Sequence, residues 1–245
     1  MLTSDEKLQI KLIEDIYYMK PILTKVNAKI KEVGLVQSFD YIHEVLLASK
    51  DDVEKMLDLR VLAKEITDKS QARKSIAGAA FSNIMQYLFL KCKEENKVKS
   101  NIFITNKTKN SVFEDMVTIH VDGETQKPDM DLIIYSVNEL GTINKCMIIS
   151  LKTSLRERAG QTYKWKLLLE IAIGGSEIKK KYNIQYLAKK MPLVCFATVN
   201  FYNEINNPQH RGMFKFFDNS FIGKPLKSDF ISNLSKIVDY ANDNL

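Results

Sequence analysis

Apolar residues recur at three- and four-residue steps through the first part of the chain: Leu8, Leu12, Ile16 and Met19, then Ile22, Val26, Ile30 and Val33 beyond Pro21. Gly34 stops that run, Tyr41, Val45 and Leu46 resume it, and Val53, Met56, Leu57, Val61 and Leu62 follow Asp51 and Asp52, which stand where an N-cap belongs. The spacing predicts three or four amphipathic helices over 4–69. The stretch from Gln71 to Cys92 begins basic, passes through Ala77, Gly78, Ala79 and Ala80, and ends strongly apolar; it reads as a helix whose small residues would let another backbone come close. The period then changes to that of strands, at Ile102 to Ile104, Val112 to Val121, Leu132 to Tyr135 and Cys146 to Leu151, separated by Asp122-Gly123 and the break Asn138 to Gly141. A helix is expected from about Arg158 to Ile173, stopped by Gly174-Gly175. A strand from Leu193 to Val199, a polar loop from Asn203 to Gly212, a short strand or helix from Met213 to Phe217 and an amphipathic helix from Phe230 to Tyr240 complete the pattern. Together these predict an α/β fold, a central mixed β-sheet flanked by helices, with an N-terminal helical subdomain over 1–70 and the core over 71–245.

Composition narrows the classes. Of 245 residues 45% are hydrophobic and 27% charged, enough to bury a core, which excludes a disordered polymer. No run of about 18 uncharged apolar residues occurs, and the first twenty residues are acidic and amphipathic where a secretory leader is basic and then apolar, so no membrane association and a cytoplasmic location are expected. Cys92, Cys146 and Cys195 are scattered in apolar surroundings and read as reduced core thiols; His43, His120 and His210 are too dispersed for a zinc site. Lys and Arg number 36 against 30 acids, a net charge of +6 that suits a polyanionic partner without deciding for one. A glycine-rich phosphate loop and a Ser-His-Asp signature are both lacking.

The chemistry concentrates between Lys127 and Glu170. Asp129 and Asp131 stand two apart at the start of a strand, which puts both side chains on one face. A second apolar strand ends at Lys152; if the two form a hairpin, both acids and the lysine converge at one edge of the sheet. Carboxylates so placed can hold a hard divalent cation, Mg²⁺, and a lysine beside them can orient or deprotonate a water and add positive charge next to a phosphate. This is the equipment of a phosphodiester hydrolase.

Pro128-Asp129, a connection of about twenty residues and then Ser150-Leu151-Lys152 resemble the PD-(D/E)XK nuclease superfamily. Within it the chain is most similar to type II restriction endonucleases of the branch recognising CCGG or CCNGG-type sites. There a Ser or Thr replaces the usual acid and an R-(D/E)-R motif follows the lysine, as Arg156-Glu157-Arg158 does here. The resemblance implies a restriction-endonuclease-like core and a homodimer that hydrolyses double-stranded DNA with Mg²⁺ at a short palindromic G·C-containing site. It also implies 5′-phosphate ends and a cognate DNA methyltransferase in the host. Carried over by residue, Asp129 and Asp131 become the metal ligands, Lys152 the catalytic lysine, and Arg156, Glu157 and Arg158 the base readers. Where the family's relocated glutamate falls this chain has Trp165; Glu170 is the first glutamate further along the helix, with Glu157 and Gln161 as alternatives for that role. Ser82 or Asn83 occupies the place where a glutamate often completes the metal site.

Gln161, Lys164, Asn207, His210 and Arg211 carry side chains suited to phosphates or base edges and complete the expected DNA contacts. Plainer roles compete for several of these positions. Arg156-Glu157-Arg158 suits a solvated helix start, Glu170 can pair with Lys166 one turn earlier, and Lys179-Lys180-Lys181 suits an exposed helix face. A repair or structure-selective nuclease of the same core, or a non-catalytic DNA-binding module, are the alternative functions.

Overall fold

The computed structural model describes residues 1–107 and 111–245, apart from the side chains of 156–159 and 161. In chain order come helices α1 (Ser4–Asp15), α2 (Met19–Val33), α3 (Ile42–Ala48), α4 (Lys50–Leu62) and α5 (Lys69–Glu94), strand β1 (Ile102–Thr105), helix α6 (Ser111–Val117) and strands β2 (Ile119–Val121), β3 (Glu124–Gln126), β4 (Leu132–Val137) and β5 (Ile143–Lys152). Then follow α7 (Arg156–Ile173), α8 (Glu177–Lys181), β6 (Ile184–Tyr186), β7 (Leu193–Thr198), α9 (Pro208–Phe214), β8 (Asn219–Ile222), β9 (Ser232–Asn233) and α10 (Ile237–Asn244). The main sheet has the order β1-β4-β5-β7-β8-β9, antiparallel as far as β5 and parallel beyond it; β3, β2 and β6 form a smaller antiparallel sheet. The mixed sheet flanked by helices is therefore as the periodicity predicts.

Strand alternation on β5 separates two cores. Met147, Ile149 and Leu151 face the cluster built by the N-terminal helices, α5 and α10, whereas Cys146 and Ile148 face the one built by α6, α7, α9 and the small sheet. The expected boundary at residue 70 does not divide the first cluster, which runs without interruption from Leu2 through Leu57, Phe81 and Phe89 to Ile149 and Leu234. An ion pair crosses the same boundary: Lys93 Nζ donates to Glu6 Oε1 and to the Ile102 carbonyl, both at 2.6 Å, with the two side chains only 1% and 3% exposed. Glu6 also closes the capping box of α1, its Oε2 accepting from Thr3 N–H at 2.8 Å.

Other expectations are corrected locally. Val112 to Val121 is a helix followed by a short strand, because Phe113 and Val117, one helical turn apart, both reach the second core while Val112 stays exposed. The polar loop from Asn203 contains a 3₁₀ turn (Glu204–Asn206) and then α9, started by Asn207, whose side chain accepts from Gln209 N–H, with Pro208 at the first helical position. Only the second half of the predicted Phe230 to Tyr240 helix is helical, since Ser232 and Asn233 pair with β8 and Asp40 accepts from Ser235 N–H at 2.7 Å. At Gly78 of α5 no other backbone comes close: a Cβ built there would meet nothing within 4 Å. All three cysteines are free and buried, burial pushing the Cys92 and Cys146 thiols up to about 12. Among the described residues no helix is long and apolar enough to cross a membrane.

Candidate active site

β4 and β5 form the antiparallel pair that the sequence suggested, with Leu132 opposite Ile149. One further bond, Asp131 N–H to the Ile149 carbonyl at 3.2 Å, extends the ladder past the end of β4 and leads Asp129 and Asp131 to the end of β5. That end lies inside the sheet, not at its edge, because β7 flanks β5 on the far side and sets Thr198 opposite Lys152. Lys152 Nζ donates to Asp129 Oδ2 at 2.7 Å and to Asp131 Oδ2 at 2.9 Å, and Asp131 Oδ2 also accepts from Leu151 N–H at 2.7 Å. The lysine side chain is 9% exposed, that of Asp131 30% and that of Asp129 55%, so an anchored cation lies beneath carboxylates that face solvent. On the same strand face Ser150 Oγ accepts from Thr162 Oγ1 of α7 at 3.1 Å, seating the helix against β5.

Glu170 does not join this cluster. Its carboxylate pairs with Lys166 Nζ at 3.0 Å, and the same ammonium donates to both oxygens of Asp218, at 3.1 Å. Asp218 in turn accepts from Val194 N–H at 2.6 Å, four residues before Thr198 on β7 and so about 13 Å along the strand from the level of Lys152. The i,i+4 alternative to a catalytic role is therefore the one the helix realises. Asn83 likewise faces the N-terminal helices, donating to Tyr18 Oη at 3.3 Å. The side chains of Arg156, Glu157, Arg158 and Gln161 lie outside the described residues; the α7 backbone that carries them begins four positions after Lys152. Lys164 is exposed on α7. Asn207 is engaged as the cap of α9, His210 Nδ1 lies 2.9 Å from the Glu204 carbonyl, and Arg211 stacks over the Phe230 ring at 4.9 Å. Sequence reasoning did not single out Glu204, although its Oε2 accepts from Leu155 N–H at 2.8 Å; their separation of 49 positions leaves no local signal.

Burial depresses the ability of Lys166 to hold its proton, but hydrogen bonds to Glu170 and Asp218 outweigh it and raise the pKa above the ordinary 10.5. A raised folded-state pKa means that this contribution is complete below the unfolded value and is lost as pH climbs through the folded one. The stability gap between the wild type and Lys166→Met is accordingly expected to stay constant up to about pH 10 and to shrink above it, as urea midpoints over that range would show. A gap that widens with pH would contradict the assignment.

The family model described as BsaWI restriction endonuclease type 2 matches residues 104–240, more than half of the chain, and the match spans every element of the site. The chain belongs to this family. It is thus a site-specific deoxyribonuclease, a type II restriction endonuclease acting on DNA. No curated protein matches it. Among solved structures, metal-depleted Ecl18kI in complex with uncleaved DNA aligns at 14% identity with a TM-score of 0.43, covering 99% of this chain and 84% of that one.

Restriction endonucleases of this kind use a divalent metal, and the donor set here suits one. Lys152 engages the Oδ2 atom of each aspartate, neither Oδ1 bonds to another of the described residues, and the two side chains are 55% and 30% exposed. Among the described residues no group of three or more His, Cys, Asp or Glu could hold a metal ion, and the Glu157 side chain lies outside them.

Proposed function

We propose that the enzyme hydrolyses both strands of a short palindromic duplex site containing consecutive G·C pairs, acting as a Mg²⁺-dependent homodimer and leaving 5′-phosphate ends. The observation that carries this reading is the double contact of Lys152 Nζ with Asp129 and Asp131 at the strand end from which the helix bearing Arg156-Glu157-Arg158 departs. Asp129 and Asp131 would hold the cation, which when bound supplies positive charge to the scissile phosphate and acidifies a coordinated water. Lys152 holds the carboxylates in register, orients the attacking water and offsets charge that develops on the phosphate in the transition state. The arginine forks of Arg156 and Arg158 can each donate two hydrogen bonds to guanine O6 and N7, and Glu157 can accept from cytosine N4; each good pair discriminates by about 1–3 kcal/mol. This reasoning favours a CCGG or CCNGG-type core.

Two-fold symmetric DNA is most simply met by two copies of the chain, one active site for each strand. The N-terminal helices either join those copies or embrace the duplex, and Gln161, Lys164, Asn207, His210 and Arg211 supply further contacts to it. A cognate methyltransferase would protect the host's own sites. Incubation with Mg²⁺ and a sequenced plasmid is expected to give discrete fragments whose ends map to one motif with adjacent G·C pairs. A smear, or ends at an A·T-only motif, would reject the proposal.

A further inference from the structure

Between the catalytic lysine and the first residue of α7 lie only Thr153, Ser154 and Leu155, and this short segment is gripped from outside. Phe201 N–H donates to the Thr153 carbonyl at 3.1 Å, and Glu204 Oε2 accepts from Leu155 N–H at 2.8 Å. Leu155 is the N-cap of α7, and its own N–H is satisfied by a carboxylate from a distant turn, the bond a glutamate at N3 makes in a capping box, at the positive end of the helix.

The gripping turn is itself tightly specified. Asn200 N–H donates to Thr198 Oγ1 at 2.9 Å, Glu204 N–H donates to Asn200 Oδ1 at 2.8 Å, and Thr198 stands opposite Lys152 in the sheet. Thr198 and Asn200 are 0% and 2% exposed. Asn200 and Asn203 adopt positive φ, 50° and 54°, a conformation that asparagine tolerates better than most residues. Ile205, 3% exposed, anchors the far side of the turn in the second core. A chain of polar contacts therefore runs from the register partner of the catalytic lysine to the first turn of the helix that carries Arg156-Glu157-Arg158.

We infer that Glu204 is a positioning residue that holds this helix at a set distance and angle from Lys152, so that correct base contacts and a correctly placed phosphate occur together. The inference rests on the proposed reading role of the Arg-Glu-Arg triplet. A shift of about 1 Å in such a coupling is enough to lower the rate substantially, because both ends must be satisfied at once.

The test uses the full-length enzyme and the site mapped from plasmid digestion. Single-turnover cleavage of that site and of its one-base-pair variants is compared for wild type, Glu204→Met, Glu204→Gln and Arg156→Ala, with melting temperature recorded for each. Methionine fills the space without an acceptor, whereas glutamine keeps an oxygen for Leu155 N–H. Glu204→Met is expected to lose about tenfold in discrimination between the site and its variants at a near-native melting temperature, with Glu204→Gln recovering most of it. If Glu204→Met melts early, Glu204→Asp, whose carboxylate is one methylene short of Leu155, takes its place with the same expectation. Unchanged discrimination in Glu204→Met, or in its substitute, while Arg156→Ala loses it would overturn the positioning role alone. Unchanged discrimination in Arg156→Ala would overturn the reading role on which it rests.

Discussion

Lys152→Ala is expected to lower the single-turnover cleavage rate by about 10³-fold or more, a loss of about 4 kcal/mol of transition-state stabilisation, while binding to the specific duplex in Ca²⁺ persists. The geometry accounts for the asymmetry. The ammonium contacts both carboxylates at 2.7 and 2.9 Å from a position 9% exposed, so the charge is held in place beside the site where the phosphate would lie. On the proposed reading, Arg156-Glu157-Arg158 select the site, so removing the amine is expected to leave those contacts in place. Asp129→Asn is expected to behave in parallel, because an amide oxygen is a weaker ligand for a hard cation than a carboxylate. An Asp129→Asn enzyme that cleaves at the wild-type rate would transfer its role to Asp131 or dissolve the site. Rapid-quench cleavage assays alongside gel-shift titrations in Ca²⁺ distinguish these outcomes.

Glu6→Ala is expected to destabilise the fold by about 3–5 kcal/mol, for a chain of this length a fall in melting temperature on the order of 10 °C. The cost arises from the partner left behind: among the described residues the Lys93 ammonium, 1% exposed, would keep only the Ile102 carbonyl at 2.6 Å and the Phe103 ring, 3.7 Å from Nζ. The capping box of α1 is lost as well. Replacing both charges, as Glu6→Met with Lys93→Met, is expected to recover most of the loss, since burying two charges is itself costly. Equal melting temperatures for the single and double variants would refute the ion-pair explanation. Because Glu6 lies on α1 and Lys93 on α5, next to β1, the experiment also measures how firmly the N-terminal helices are joined to the nuclease core.

Both predictions concern charges brought together from distant parts of the chain, yet the two were unequally visible in the sequence. Asp129, Asp131 and Lys152 could be assembled on paper because strand alternation fixes which side chains share a face, and one hairpin brings the start of its first strand beside the end of its second. Glu6 and Lys93, 87 residues apart, carry no such short-range geometry, and neither do Glu204 and Leu155. For Glu170 the local alternative prevailed: Lys166 one turn away holds it, and Asp218 draws that pair towards Val194.

The amino-acid sequence by itself determined the α/β class, the Asp-Asp-Lys constellation and the start of α7 close behind the lysine, because periodicity, turn residues and hairpin geometry act over short stretches of chain. It also contained the start of α9, written in Asn207-Pro208 but read as loop. Only the tertiary structure decided that the N-terminal helices share one core with the sheet, that Glu170 sits away from the carboxylates, and that Glu204 accepts from the Leu155 N–H at the start of α7. Those outcomes depend on which buried polar groups find partners across long separations, where the requirement to satisfy each buried charge and N–H selects a single packing.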